Sequence, residues 1–150
     1  MLSTKTALQH LAAQGGDTVK LTVAADALAD AKLIPADSHQ QLNSEQVVAL
    51  LLGCSSPVPQ DAARFALERA ALHSEGVSLR SALLDCLSEN NPPACIEVLH
   101  QQPHVTIYPL ADADPAEFGT SFNSGGFCTK TVISGGLLSL LSLKLNQLHL

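Results

Sequence analysis

Apolar positions along the first hundred residues recur mostly at helical spacing, separated by residues that start and stop helices. In "STKTALQHLAAQGG" the positions Ala7, Leu8, Leu11 and Ala12 share one face, Ser3 or Thr4 can cap the start, and Gly15 can close the end. "TVAADALADAKLIP" follows with Thr22 as N-cap, an apolar stripe of Val23, Ala24, Ala27, Leu28 and Ala31, and Pro35 as the stop, although the preceding "VKLTV" also fits a brief strand. "LNSEQVVALLLG" carries the strongest local signal. Asn43 and Gln46 stand at capping-box spacing, Leu42 can staple against Val47, and Gly53 suits a left-handed helix end.

Three further helices are predicted in the same way. One starts at Ser56 and Pro57, runs through Ala62, Phe65, Ala66, Arg69, Ala70 and His73, and stops at Gly76; the next starts at Ser78 and buries Leu79, Ala82, Leu83, Cys86 and Leu87. The last, "NPPACIEVLHQQP", is capped by Asn91, has Pro92 at its first position, and halts before Pro103. Their starts are unevenly spaced and no residue pattern recurs, which argues against a repeat solenoid.

Beyond Pro103 the pattern shifts. "HVTIYPL" reads as a strand, "ADADPAEFGTSFNSGG" as a loop with one helical turn at "PAEF", and "CTKTVI" as a second strand pairing with the first. In the tail, Leu138, Leu141, Leu145 and Leu148 fall on one helical face, so helix is favoured over the strand that "LSLKLN" also permits. The expected fold is therefore mainly α. It is a bundle or irregular stack of about six short helices over residues 1–103, with a minor β or irregular C-terminal segment over 104–150 packed on it as one domain.

Composition narrows the function classes. Eight Lys plus Arg against fourteen Asp plus Glu gives a formal charge of -6, and no Lys or Arg occurs between Arg80 and Lys130, so a phosphate-backbone partner is disfavoured. The opening residues lack an apolar stretch of signal-peptide length, and the leucine-rich tail is too short and too interrupted to span a bilayer, so a cytoplasmic protein without membrane contact is expected. Aliphatic residues must fill the core, because there is no Trp and only one Tyr.

Candidate chemistry is sparse. "GGFCTKT" places Phe127, Cys128 and Thr129 between Gly126 and Lys130, which breaks the glycine-lysine adjacency of a phosphate loop; no cofactor is expected. Cys128 near Lys130 is a candidate nucleophile for a small hydrolase or transferase if the fold supplies a histidine such as His104. Cys86, Cys95, His100 and His104 are the candidate zinc ligands, yet they lack a short Cys-x2-Cys knuckle. Asp112, Asp114 and Glu117 cluster without the glycine and distal glutamate of a calcium loop. With no assembled site, the favoured reading is a non-catalytic protein-interaction domain: an adaptor, a chaperone-like protein or a regulatory subunit. It would meet a protein partner or a second copy of itself through Leu138, Leu141, Leu145 and Leu148.

Overall fold

The computed structural model of the protein describes residues 2–88, 92–119 and 128–146. Its helices begin where polar side chains satisfy free backbone amides. Ser3 caps α1 (Thr4–Ala13) by accepting from the Thr6 N–H, and Asp17 caps α2 (Thr18–Asp30) by accepting from Val19 and Lys20. The expected cap at Thr22 lies inside α2, where its hydroxyl donates to the Thr18 carbonyl. The capping box of α3 (Ser44–Cys54) forms as the sequence predicts: Asn43 accepts from the Gln46 N–H at 2.8 Å, and the Gln46 side chain accepts from the Asn43 N–H at 3.0 Å.

Gly53 does not end this helix. It lies within α3, where α2 crosses so closely that a Cβ would stand 2.7 Å from Leu28 Cδ1. The fourth helix starts later than its Ser56-Pro57 signal: a 3-10 turn at Pro59–Asp61 leads into α4 (Ala62–Ala70). Gly76 belongs instead to a tight hairpin of β1 (His73–Ser74) and β2 (Val77–Ser78), whose two loop residues, Glu75 and Gly76, both have positive φ, as a type I′ turn requires. α5 (Leu79–Ser88) follows at once, with the Ser78 hydroxyl accepting from the Ser81 N–H.

The mainly α expectation is overturned between residues 92 and 134. "CIEVL", assigned to a sixth helix capped by Asn91, is the strand β3 (Cys95–Leu99), while Asn91 itself lies outside the described residues. The physical reason is the two-residue period: Ile96 and Val98 are buried, whereas Cys95 and Glu97 are half-buried on the other side. β4 (His104–Tyr108) is the strand expected at "HVTIY". "PAEF" gives no helical turn and enters β5 (Ala116–Gly119). β6 (Lys130–Ser134) forms as expected but pairs with β3 rather than with β4.

The result is an antiparallel sheet in the order β5-β4-β3-β6, alongside the small β1-β2 hairpin. Helices make up 51% of the described residues and strands 19%, so the fold is a mixture of α and β.

The chain then turns from β6 into α6 (Gly135–Leu145), confirming helix for the described part of the tail, with Ser134 as its N-cap. A Cβ on Gly135 would fall 2.1 Å from the Pro93 carbonyl oxygen, so glycine is required where this turn crosses the start of β3. One hydrophobic core joins the two layers. Leu28, Val47, Leu51, Leu79 and Leu87 from the helices meet Ile96, Val98, Val105, Phe118 and Ile133 from one face of the sheet. α6 closes the core through Leu137, Leu138, Leu141 and Leu145, and the buried Ser142 hydroxyl donates to the Leu87 carbonyl at the end of α5. Among the described residues, no helix is long and apolar enough to cross a membrane.

Candidate functional site

The sheet has two faces and two edges, and together they sort the side chains that could carry function. The register places Glu97 opposite Thr106 and Val132, and Cys95 opposite Tyr108 and Ser134. These residues, with His104, Glu117 and Lys130, occupy the face whose side chains are absent from the hydrophobic core. Glu97 is the hub there: Tyr108 Oη donates to its Oε2 at 3.1 Å and Lys130 Nζ to its Oε1 at 2.8 Å. Burial, followed by the hydrogen bond to Glu97, holds the Tyr108 phenol above its usual pKa, and the Glu97 carboxylate likewise raises that of Lys130. Every charge in this trio is answered by a neighbour.

The end of the sheet next to α4 is fastened by two polar networks. Arg69, buried on α4, points one Nη at the carbonyls of Leu99, His100 and Gln102 at 3.4, 3.2 and 3.3 Å, and its guanidinium stacks over the Phe65 ring at 4.1 Å. It thereby collects the carbonyls of the turn between β3 and β4. Beside it, His100 Nδ1 and Nε2 each lie 2.7 Å from a threonine hydroxyl, Thr129 and Thr131 respectively. The Thr131 hydroxyl donates onward to the Ser55 carbonyl, and Gln101 donates to Thr129. One arrangement of protons satisfies all four contacts: Nε2–H donates to Thr131, and Thr129 donates to Nδ1. Burial and then the Arg69 charge lower the pKa of this imidazole.

These placements separate the proposed catalytic pair. Cys128 is exposed, and its Sγ lies 3.6 Å from the Thr129 carbonyl, to which it donates. The alternation of β6 puts position 128 on the face of Lys130, opposite the one where Thr129 and Thr131 hold His100. Both ring nitrogens of His100 are engaged, so it offers the thiol no base. His104 starts β4, with Leu99 and Lys130 in register between it and the Cys128 side of the sheet, a backbone separation of about 12 Å. His104 Nε2 instead lies 3.2 Å from the Thr106 hydroxyl and 3.6 Å from Glu117 Oε1.

The zinc candidates are dispersed as well. Cys86 is on α5, Cys95 starts β3 and His100 follows its last residue, about 17 Å away, and His104 is on β4. Among the described residues, no group of three or more His, Cys, Asp or Glu side chains converges on a metal position. Glu117 lies on β5, whereas Asp112 and Asp114 are exposed in the loop before it. Burial pushes the Cys54 thiol up to about 12, which makes it an inert core group.

The leucine face proposed for partner contact faces inward. Leu138 and Leu141 are 1% exposed and Leu145 is 7%, so all three are core residues, while Leu148 lies outside the described residues. Their helical spacing is legible in the sequence, and of the two environments that an apolar stripe permits, core or interface, the described leucines take the core. Residue identities along an apolar stripe do not reveal which element covers it.

Two of the surface recesses have apolar floors beside the elements described above. One, of 350 Å3, lies among α3, α4, α5 and Lys32; its floor includes Val48, Ala49 and Ala66, and Arg80 on its rim is already paired with Glu45. The other, of 220 Å3, runs beside β6. Leu11, Leu21, Leu51 and Leu137 line it, along with Thr131, Val132 and Ile133.

The edge at this second recess is structurally distinctive. The His100 N–H bonds to Thr129 O and the Gly135 N–H to Ala94 O, which fixes the odd-numbered positions of β6 as those bonded to β3. The N–H and C=O groups of Lys130 and Val132 therefore point out of the sheet, and β6 pairs only with β3 among the described residues. Val132 is 53% exposed. The opposite edge strand, β5, has β1 packed beside it.

Comparison with known proteins adds no assignment: no family model, curated protein or solved structure matched this chain. Geometry alone carries the functional argument.

Proposed function

We propose that this chain is a non-catalytic protein-interaction domain that adds an extended segment of a partner protein to the outer edge of β6, which no other strand among the described residues covers. The observation that carries this reading is the set of outward backbone groups at Lys130 and Val132, set beside a recess lined by leucines. An added strand gains main-chain hydrogen bonds from the edge and places alternate side chains over the recess, a combination that gives affinity and selectivity together. Natural proteins blunt unpaired edges with prolines, bulges or charges; here the one charge, Lys130, is bound to Glu97, and an exposed valine sits at the centre of the strand. The cysteine-enzyme reading has less support, because Cys128 and His104 lie about 12 Å apart along the sheet and His100 is on the opposite face.

Short peptides selected by display against the folded protein test this reading. Selected peptides are expected to slow amide hydrogen exchange at Lys130 and Val132 and to lose binding to Val132→Pro. That substitution removes an outward donor without removing a bond to β3, so the sheet itself should tolerate it. Peptides that protect a different surface, or bind Val132→Pro equally well, would refute the proposal.

A further inference from the structure

We infer that the strand seated on β6 is β6 of a second copy of this chain, in an antiparallel pair whose two-fold axis passes through Val132. This rests on the strand-addition reading above and identifies the occupant.

The register is self-complementary. The outward positions Lys130, Val132 and Ser134 are symmetric about Val132. Antiparallel pairing about that centre sets Val132 opposite its own copy, with each N–H donating to the other's C=O, at a Cα separation of about 5.5 Å. Lys130 then faces Ser134 of the other copy, and the Ser134 N–H donates to the Lys130 carbonyl across the seam. Ser134 is also the N-cap of α6, where its side-chain oxygen accepts from the Leu137 N–H.

The side chains agree with this pairing. The two exposed valines meet on the face that bears Glu97, turning two solvated apolar groups into one contact. Like charges do not meet, because each Lys130 stays on the Glu97 of its own copy, 2.8 Å away, and faces a serine. The four-stranded sheet is doubled across the seam, and the open edge that each copy presents is removed by the other. A C2 contact of this kind closes on itself, so it yields a dimer without propagating into a fibre, since the remaining edge strand, β5, has the hairpin strand β1 beside it.

Sedimentation equilibrium of the full chain over a concentration series is the test, read together with amide exchange at Val132. A concentration-dependent rise to twice the monomer mass is expected, with Val132 exchange slowing as dimer forms. Val132→Lys places two ammonium groups at the axis and should weaken association by about tenfold or more. In a Cys128→Ser background, Val132→Cys should trap the dimer as a disulfide under mild oxidation, which provides a gain of signal even if Val132→Lys folds poorly. A monomer at all concentrations, or a dimer that Val132→Lys leaves unchanged and Val132→Cys does not trap, overturns the inference. The two failures are distinguishable. A monomer whose Val132 amide exchanges rapidly leaves the edge open to a different partner, whereas a monomer with a slow Val132 amide shows an edge already covered within the chain, and then both readings fall.

Discussion

Ile96 and Glu97 are adjacent in the chain, yet they belong to different environments: Ile96 is fully buried against the helical layer, and Glu97 joins Tyr108 and Lys130 on the face outside the core. The same alternation runs through the partner strands, with Val105, Phe118 and Ile133 inward and Thr106, Glu117 and Val132 outward. The outward face is not uniform. At its His104 end Leu99, His104 and Thr106 are buried, while Glu117, Lys130 and Val132 stay exposed. The lesson is that parity along each strand divides core packing from the outward face, and the strand-addition proposal adds that recognition belongs to the outward side of β6. A substitution on the inward parity should act on folding, and one on the outward parity at β6 should act on association.

The largest effect that would break this division is a pair of alanine substitutions in one sheet. Ile96→Ala deletes fully buried methylene and methyl groups and is expected to cost about 4 kcal/mol, measured as a fall in the urea midpoint. Val132→Ala, on a half-exposed edge position, should cost less than about 1 kcal/mol in the same assay under conditions where the chain is monomeric. Comparable losses at the two positions would mean that the outward face is packed as tightly as the core.

How far this division was legible in the sequence depends on the distance over which each signal acts. α3 was readable because Asn43 and Gln46 satisfy each other's backbone amides three residues apart. β3 was not, because Pro92 after Asn91 imitates a helix start, and five residues are too few for periodicity to outweigh it. The alternation of Ile96 and Val98 with Cys95 and Glu97 was the available signal. β6 was recognised as a strand, but its neighbour was misassigned, since pairing is decided by which inward faces fill the core together. The polar fastenings lay further out of reach: His100 meets Thr129 and Thr131 across 29 and 31 positions, and Arg69 meets Leu99 across 30. No local pattern encodes such contacts. The leucines of α6 were placed on the right face of the right element and given the wrong neighbour.

A smaller effect sharpens the comparison from the helical side of the sheet. The folded state lowers the proton affinity of His100, through burial and then the Arg69 charge, so the unfolded chain binds a proton more readily near its ordinary value of 6.5. The stability linked to this neutral imidazole is complete above that value and is lost as the pH falls below it. The thermal midpoint of the parent chain should therefore drop between about pH 7.5 and about pH 5, and His100→Gln should drop less. The glutamine retains hydrogen-bonding capacity beside the threonines and has no proton to take up. An equal fall in both proteins would assign the acid sensitivity to other groups.

The smallest effect belongs to the outward face. Tyr108→Phe removes only the hydroxyl that donates to Glu97 and leaves the ring, so the loss should be about 0.5 kcal/mol, at the low end for a partly solvated hydrogen bond. Titration resolves what stability barely registers. The phenol is held above its ordinary value of 10.0 by burial first and by Glu97 second, so its ultraviolet ionisation should begin at higher pH than in the unfolded chain, and the stability linked to the protonated phenol is lost as pH rises through that range. Glu97→Gln removes the carboxylate contribution and leaves burial in place, so the tyrosine should move part of the way back toward 10.0. A full return would show that the ring is as open to water as Val132, and that the outward face is shielded nowhere between Glu97 and Tyr108. No movement would show that burial alone sets the phenol, with Glu97 serving only to hold Lys130 beside the edge strand.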